Sequence, residues 1–195
     1  MAEDFKKIKE LAKKENAEIF FGDESTVRSD YHSGTTWAPR GKTPVIKTTG
    51  ARHKVNLISA ISPRGAMKFM ATEKSVNSSV FIEFLKRLIA NTTRPVFLVL
   101  DNCSVHRSSE VRQYVESTNG NLRIFFLPPY APELNPDEHV WNYLKNHKIG
   151  RQTTVGEWDL YKRVIKVLHT LRRCPEKIKS FFRHPWTQYT LLSTD

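Results

Sequence analysis

Three carboxylates in this chain stand where a phosphate-cleaving site can be assembled. The runs Ile19-Phe20-Phe21-Gly22-Asp23 and Val96-Phe97-Leu98-Val99-Leu100-Asp101 are short, apolar and rich in aromatic and β-branched residues, so both read as strands finishing on an aspartate. Strands of one α/β sheet bring their C-terminal ends to a common edge, which sets Asp23 beside Asp101. Glu138 falls in the first turn of a helix predicted to start near Pro136, with Asn135 and Pro136 as its opening residues, and from there its carboxylate reaches the same edge. Three converging carboxylates repel one another unless cations lie between them. Mg2+ and Mn2+ take oxygen ligands, and two such ions about 3.5–4 Å apart clamp both the attacking and the leaving oxygen of a phosphoryl transfer. The expected chemistry is phosphodiester cleavage without a covalent intermediate, one ion lowering the pKa of a water and the other stabilising the departing 3′ oxygen.

Taken singly, each acid has a plainer explanation. An aspartate after a strand commonly caps the next element or makes a turn. Asp137 and Glu138 both suit the positive end of a helix dipole, worth about 0.3–1 kcal/mol without any catalysis. His106 reads first as a hydrogen-bonded core or rim histidine; Asn102 and His106 are the auxiliary candidates beside Asp101. The joint arrangement has to carry the functional reading.

The elements that must position these acids follow from the apolar pattern. Residues 3–16 place Phe5, Ile8, Leu11 and Ala12 at helical spacing on a charged segment, giving a surface-lying helix before the first strand. Short strand pieces are expected around Trp37 and Pro44-Val45-Ile46. A strand from His53 to Ser62 turns at Pro63-Arg64-Gly65 into a hairpin partner, Ala66 to Ala71. Ser78 to Ala90 is an amphipathic helix, and the unbroken apolar run into Asp101 is a central strand buried on both faces. A helix over Ser109 to Ser117 and a strand over Leu122 to Leu127 complete a βαβ unit. Four prolines between Pro128 and Pro136 predict an extended, stiff linker. Beyond Gly150, Leu160, Val164, Val167, Leu168 and Leu171 form one stripe of a long helix, with Lys162, Arg163, Lys166, Arg172 and Arg173 largely off it.

Composition narrows the partners. The 195 residues carry 31 Lys+Arg against 20 Asp+Glu, a net charge of +11 that favours a polyanion, with nucleic acid foremost. From residue 139 to the end there are 11 basic and 4 acidic residues, so the last third supplies most of that charge. Cys103 and Cys174 sit in unrelated contexts, which argues against a zinc site or a disulfide framework and leaves oxygen as the ligand for any metal. No apolar run approaches the roughly 20 residues of a membrane span, and the N-terminus lacks the pattern of a secretion signal; a cytoplasmic, nucleoid-associated protein is expected. Two rival chemistries fail on their own motifs. Asp23-Glu24-Ser25-Thr26-Val27 has Ser25 where a haloacid-dehalogenase-like phosphatase needs its second aspartate. Gly41-Lys42-Thr43 has Thr36 in place of the first P-loop glycine, and Pro44 obstructs the helix that should follow.

The segments FGDES, WAPRGKTPVI, LVLDNCSVHRS and FLPPYAPELNPDEHVWNYLK, in that order, resemble the DDE-type transposases of the mariner superfamily, especially those of bacterial insertion sequences. The resemblance spans roughly residues 15 to 150, its last block is the most specific, and FFRHPW near the end is also similar. It implies that Asp23, Asp101 and Glu138 are the catalytic and metal-binding triad. It further implies a ribonuclease-H-like fold: a five-stranded mixed sheet, three antiparallel strands then two parallel, flanked by helices. The implied reaction is metal-dependent hydrolysis at transposon ends followed by attack of the freed 3′-OH on target DNA, commonly at a TA dinucleotide. Asp101 and Glu138 are separated by 36 residues, a little more than is usual in the family, so Glu133 and Asp137 stand as further candidates for the third acid.

The resulting organisation is an N-terminal helix over 1–16, a catalytic domain over 17–150 and a basic helical extension over 151–195 packed on it. The family's members normally carry helix-turn-helix modules ahead of the catalytic domain, and this chain begins one helix before Asp23. End recognition is therefore expected to lie outside these residues, this chain being one product of a split reading frame with a separate N-terminal helix-turn-helix polypeptide, a truncated remnant, or an excised piece of a longer protein. Joining two ends calls for a homodimer or higher oligomer on double-stranded DNA, with Arg40, Lys42, Lys145 and Lys148 as phosphate contacts. The alternatives are an inactive transposase remnant that only binds DNA or self-associates, and a ribonuclease-H-like nuclease; retention of all three acids weighs against the first and the PELNPDEHVW block against the second.

Overall fold

The computed structural model of the chain describes residues 2–29, 38–42, 53–149 and 156–191. Five strands, β1 (Glu18–Arg28), β2 (Lys54–Ile61), β3 (Met67–Thr72), β4 (Val96–Leu100) and β5 (Leu122–Phe126), join in one sheet of order β3-β2-β1-β4-β5. β1 to β3 are antiparallel in sequence, whereas β4 runs parallel to both β1 and β5. This is the ribonuclease-H-like sheet expected above, three antiparallel strands followed by two parallel. All five residues of β4 are buried, as an apolar run with no polar face requires.

Helices cover both faces. α2 (Ser78–Ile89) and α3 (Ser109–Ser117) bury one face with Phe20, Ile58, Leu98 and Leu100; α4 (Glu138–Asn142), α5 (Glu157–Arg172) and α6 (Pro175–Phe181) bury the other with Phe21, Leu57 and Val99. Local chemistry sets the starts of α2 and α3: Asn77 Oδ1 accepts from the Val80 N–H at 3.0 Å, and Ser108 Oγ from the Val111 N–H at 3.4 Å. α1 (Ala2–Lys14) lies on the surface but inserts Phe5, 1% exposed, against Phe21 with ring centroids 5.5 Å apart. On α5, Leu160, Val164, Leu168 and Leu171 form the buried stripe and Val167 is half-buried at its margin. Full burial of each such side chain contributes about 1.5–3 kcal/mol, which holds the C-terminal helices to the sheet.

Several boundaries differ from the sequence expectation. β1 does not finish on Asp23 but runs on to Arg28, because its outer half pairs with β2 from Phe21↔Ile61 to Arg28↔Lys54. The linker from Pro128 to Pro136 is not extended throughout: Pro132–Leu134 form a 3-10 turn closed by the Asn135 N–H on Pro132 O at 2.9 Å. α4 spans Glu138–Asn142, led in by a turn in which Asn135 Oδ1 accepts from the Asp137 N–H at 3.1 Å while Asn135 Nδ2 makes a tertiary bond, and the helix widens into π turns over Tyr143–Ile149. α6 was not foreseen; Pro175 at its first turn packs against Gly65, whose φ of 90° and lack of room for a Cβ make glycine necessary in that turn. The strand pieces expected around Trp37 and Pro44 to Ile46 lie outside the described residues.

Candidate active site

Register decides where the two aspartates stand. β1 and β4 pair from Glu18↔Val96 to Phe21↔Val99, so Asp23 and Asp101 each lie two residues past the last pair, at the edge where the parallel strands part. The intended juxtaposition survives although β1 continues, because β1 leaves β4 there and carries on with β2 alone. Gly22 permits the close approach: a Cβ on it would lie 3.1 Å from both Leu100 Cδ2 and Ser59 O.

Three side chains fasten the start of α4 to this edge. Asn135 Nδ2 donates to Gly22 O at 2.9 Å, Ser59 Oγ to Asp137 Oδ2 at 2.6 Å, and Trp141 Nε1 to Asp23 Oδ2 at 3.0 Å. Ser59 is itself the register partner of Asp23 across β1 and β2. Glu138, one residue after the Asp137 cap and three before Trp141, is thereby brought into a cleft of about 500 Å³ together with Asp23 and Asp101. Asn102, Pro128, Pro129 and Tyr130 line the same cleft. Of the three acids considered for the third position, Glu138 lines it, Glu133 is exposed elsewhere, and Asp137 is fully buried beneath it. Burial holds Asp137 well above the carboxylate range, and its Oδ1 meets no partner among the described residues.

The electrostatics are those of crowded acids. Burial first, then the charges of Glu138 and Glu24, push Asp23 up to about 8. Glu138 is also raised, mainly by burial, with Lys145 and a hydrogen bond from Asp23 opposing the rise. Both shifts favour the neutral acids, and a cation between Asp23 and Glu138 would reverse them. Among the described residues no three His, Cys, Asp or Glu side chains already enclose an ion-sized space. The all-oxygen donor set nevertheless fits a hard divalent cation, whose binding would compete with protonation of these acids.

Asp101 is held from behind. His106, with a side chain 0% exposed, places Nδ1 2.9 Å from Asp101 Oδ1 and Nε2 2.6 Å from Glu24 Oε1. Its ring lies against Phe81 with centroids 4.5 Å apart. Burial disfavours the charged ring, but its two carboxylate partners outweigh that and raise it to about 10. The hydrogen bond from His106 in turn lowers Asp101, aided by the Cys103 N–H at 3.0 Å. Glu24 follows Asp23 in the strand and so points to the opposite face, where the α2 side of the sheet meets His106.

The other sequence candidates fall in different places. Asn102 Nδ2 donates to Leu127 O at 2.5 Å, tying the end of β4 to the end of β5. Lys145 is close enough to Glu138 to lower its pKa, and Lys148 lies over the Tyr143 ring at 5.3 Å. Arg40 and Lys42 are exposed in a turn closed by the Lys42 N–H on Pro39 O at 2.9 Å, and neither is among the described residues lining the cleft. Sequence reasoning missed Glu24, Ser59, Asn135 and Trp141. Trp141 had a usable signal, its i+3 spacing from Glu138 on one helix face.

A ribonuclease-H-like sheet with acids from β1, the end of β4 and α4 lining one cleft at the parallel edge defines the class, an α/β domain with a carboxylate-lined cleft. A profile of the DDE superfamily endonuclease family matches residues 18–155, and the chain belongs to that family. The insertion element IS630 uncharacterized 39 kDa protein of Shigella sonnei is 27% identical over 159 residues, which cover 80% of this chain and 46% of that protein. The uncharacterized protein y4pE/y4sA of Sinorhizobium fredii (strain NBRC 101917 / NGR234) is 27% identical over 89 residues, 46% of this chain and 62% of that protein. This chain thus spans less than two thirds of either relative. The catalytic domain of Mos1 mariner transposase superposes with a TM-score of 0.59 at 14% identity, covering 97% of this chain and 92% of that one. The Mos1 mariner paired end complex with Mn gives 0.65 at 15% identity, over 97% of this chain and 61% of that one. At such identities the likeness is one of fold.

Proposed function

We propose that this chain is the catalytic unit of a DDE transposase of the IS630 and mariner group, cutting DNA at the ends of a mobile element and joining the freed 3′-OH to target DNA. The observation that carries the reading is the meeting of Asp23, Asp101 and Glu138 in one cleft, an all-oxygen donor set. In this account those three residues hold Mg2+ or Mn2+, two ions in the working state, and Mos1 complexes have been solved with each metal. When bound, the ions supply Lewis-acid activation of water and of the leaving 3′ oxygen. The protein's part is positional: Trp141 orients Asp23, His106 and Glu24 orient Asp101, and the α4 anchor orients Glu138. The proline wall from Pro128 to Pro132 bounds the cleft and limits the substrate's approach.

In the same reading residues 17–150 form the catalytic domain, 1–16 its leading helix and 151–195 the basic extension. Arg40, Lys42, Lys145 and Lys148 contact backbone phosphates of double-stranded DNA. The paired-end Mos1 complexes support an assembly of two or more copies on DNA. Among the described residues no helix is long and apolar enough to cross a membrane, and the proposed site of action is the cytoplasm, at the nucleoid. The test is nicking of supercoiled plasmid in Mn2+. The native chain is expected to nick, and Asp23→Asn, Asp101→Asn and Glu138→Gln each to lose at least about a hundredfold of the rate; nicking that persists in all three variants overturns the reading.

A further inference from the structure

We infer that Tyr130 is a stacking platform for a nucleobase of the DNA strand whose phosphate lies at the three carboxylates. The inference rests on the proposed function and names a contact within it. Tyr130 is 102% exposed, so nothing in the fold covers its ring. Its φ of 55° lies in the left-handed region, where an aromatic L-residue is strained and Asn or Gly would be the easier choice. Neither packing nor backbone geometry therefore accounts for a tyrosine at this position, and strain of this kind at the rim of a cleft points to use.

The loop around it is built for presentation. Pro128, Pro129 and Pro132 each fix their own φ, and Pro132 also restricts Ala131, so the ring is held out on a stiff segment with little freedom left to lose on binding. Leu127 to Pro132 form the wall of the same cleft that Asp23, Asp101 and Glu138 line. A nucleotide whose phosphate meets the carboxylates carries its base one sugar away, and a flat aromatic surface on the rim is the complement of a base unstacked from its neighbours. Stacking of this type tolerates any base, because every base has a π face. The net charge of +11 favours a polyanion over an apolar protein surface as the occupant.

The test uses the full chain with Mn2+ and a short duplex carrying a single-stranded 3′ end with 5-iodo-deoxyuridine at each of its last positions in turn. Irradiation is expected to cross-link one position to Tyr130, identified by peptide mass spectrometry. Tyr130→Phe keeps the affinity for this DNA, whereas Tyr130→Ala and Tyr130→Gly, the latter suited to the positive φ, both lose about tenfold. Mn2+ affinity measured without DNA stays the same in all four proteins, which separates this contact from the carboxylate site. Cross-links elsewhere with undiminished affinity in Tyr130→Ala overturn the inference, as does a loss of self-association with DNA affinity intact. A loss in Tyr130→Phe equal to that in Tyr130→Ala also overturns it, assigning the role to the hydroxyl. Absence of carboxylate-dependent Mn2+ binding brings down the proposed function and this inference together.

Discussion

Trp141 donates its indole N–H to Asp23 at 3.0 Å, so the helix that carries Glu138 is tied directly to the strand that carries the first aspartate. The bond leaves Asp23 oriented by a group that cannot itself ionise. Trp141→Phe keeps most of the buried ring and removes the donor. It is expected to weaken Mn2+ affinity by about 10–100-fold, as loss of a group orienting a metal ligand does, and to reduce stability by about 1–2 kcal/mol. Calorimetric titration and urea unfolding check both; unchanged metal affinity would remove Trp141 from the account.

Crowding of the acids predicts a pH dependence with a definite sign. Asp23 binds its proton more tightly in the folded chain, at about 8 against an ordinary 3.8, so ion-free stability falls as pH rises from about 4 toward 8. Mn2+ must displace that proton, so its affinity rises with pH by up to about tenfold per unit and levels off above about 8. Titrations in buffers of different ionisation enthalpy should count close to one proton released at pH 7 and almost none at pH 9. Equal release at both would contradict the crowded-acid picture.

The His106 bridge adds a loss of the same sign at higher pH. Its folded value of about 10 exceeds the ordinary 6.5, so its contribution is full below about 6.5 and disappears as pH rises through about 10. His106→Gln leaves Glu24 and Asp101 without the cation between them. The expected loss is about 2–4 kcal/mol at pH 7, toward the lower figure because Asp101 is 53% exposed. Urea unfolding at pH 7 and pH 9.5 should show the gap between native and variant narrowing; a constant gap would mean that His106 acts through packing alone.

Much of this was legible in the sequence, and the parts that were not share a cause. β4, α2 and α3 are set by local pattern and short-range caps such as Asn77 and Ser108, and their positions follow directly from the residues. The end of β1 was misplaced because the apolar run stops at Phe21 while pairing with β2, a distant segment, extends the strand to Arg28. Asn135 does cap locally, its Oδ1 accepting from the Asp137 N–H at 3.1 Å, but its second bond, from Nδ2 to Gly22 O 113 residues away in sequence, could not be read from local pattern. Glu24 stayed hidden because its partner His106 lies 82 residues on and on the opposite face from Asp23.

Gly22 offers a test of the edge itself. Gly22→Ala would press a methyl group on Leu98, Leu100 and Ser59 O at 3.1–3.2 Å, with backbone on one side unable to yield. The expected result is a loss of about 1–3 kcal/mol, together with weaker metal binding as Asp23 shifts. Thermal unfolding with and without Mn2+ resolves the two; full retention of the Mn2+-induced rise in Tm would show that Asp23 does not depend on this close approach.

Whether Asp23, Asp101 and Glu138 form one metal-binding site is decided by Mn2+ calorimetry in the presence of a short DNA duplex. Saturable binding is expected in the native chain, abolished or sharply weakened in Asp101→Asn and in Glu138→Gln alike. Binding that is absent from the native chain, or indifferent to both substitutions, would contradict it.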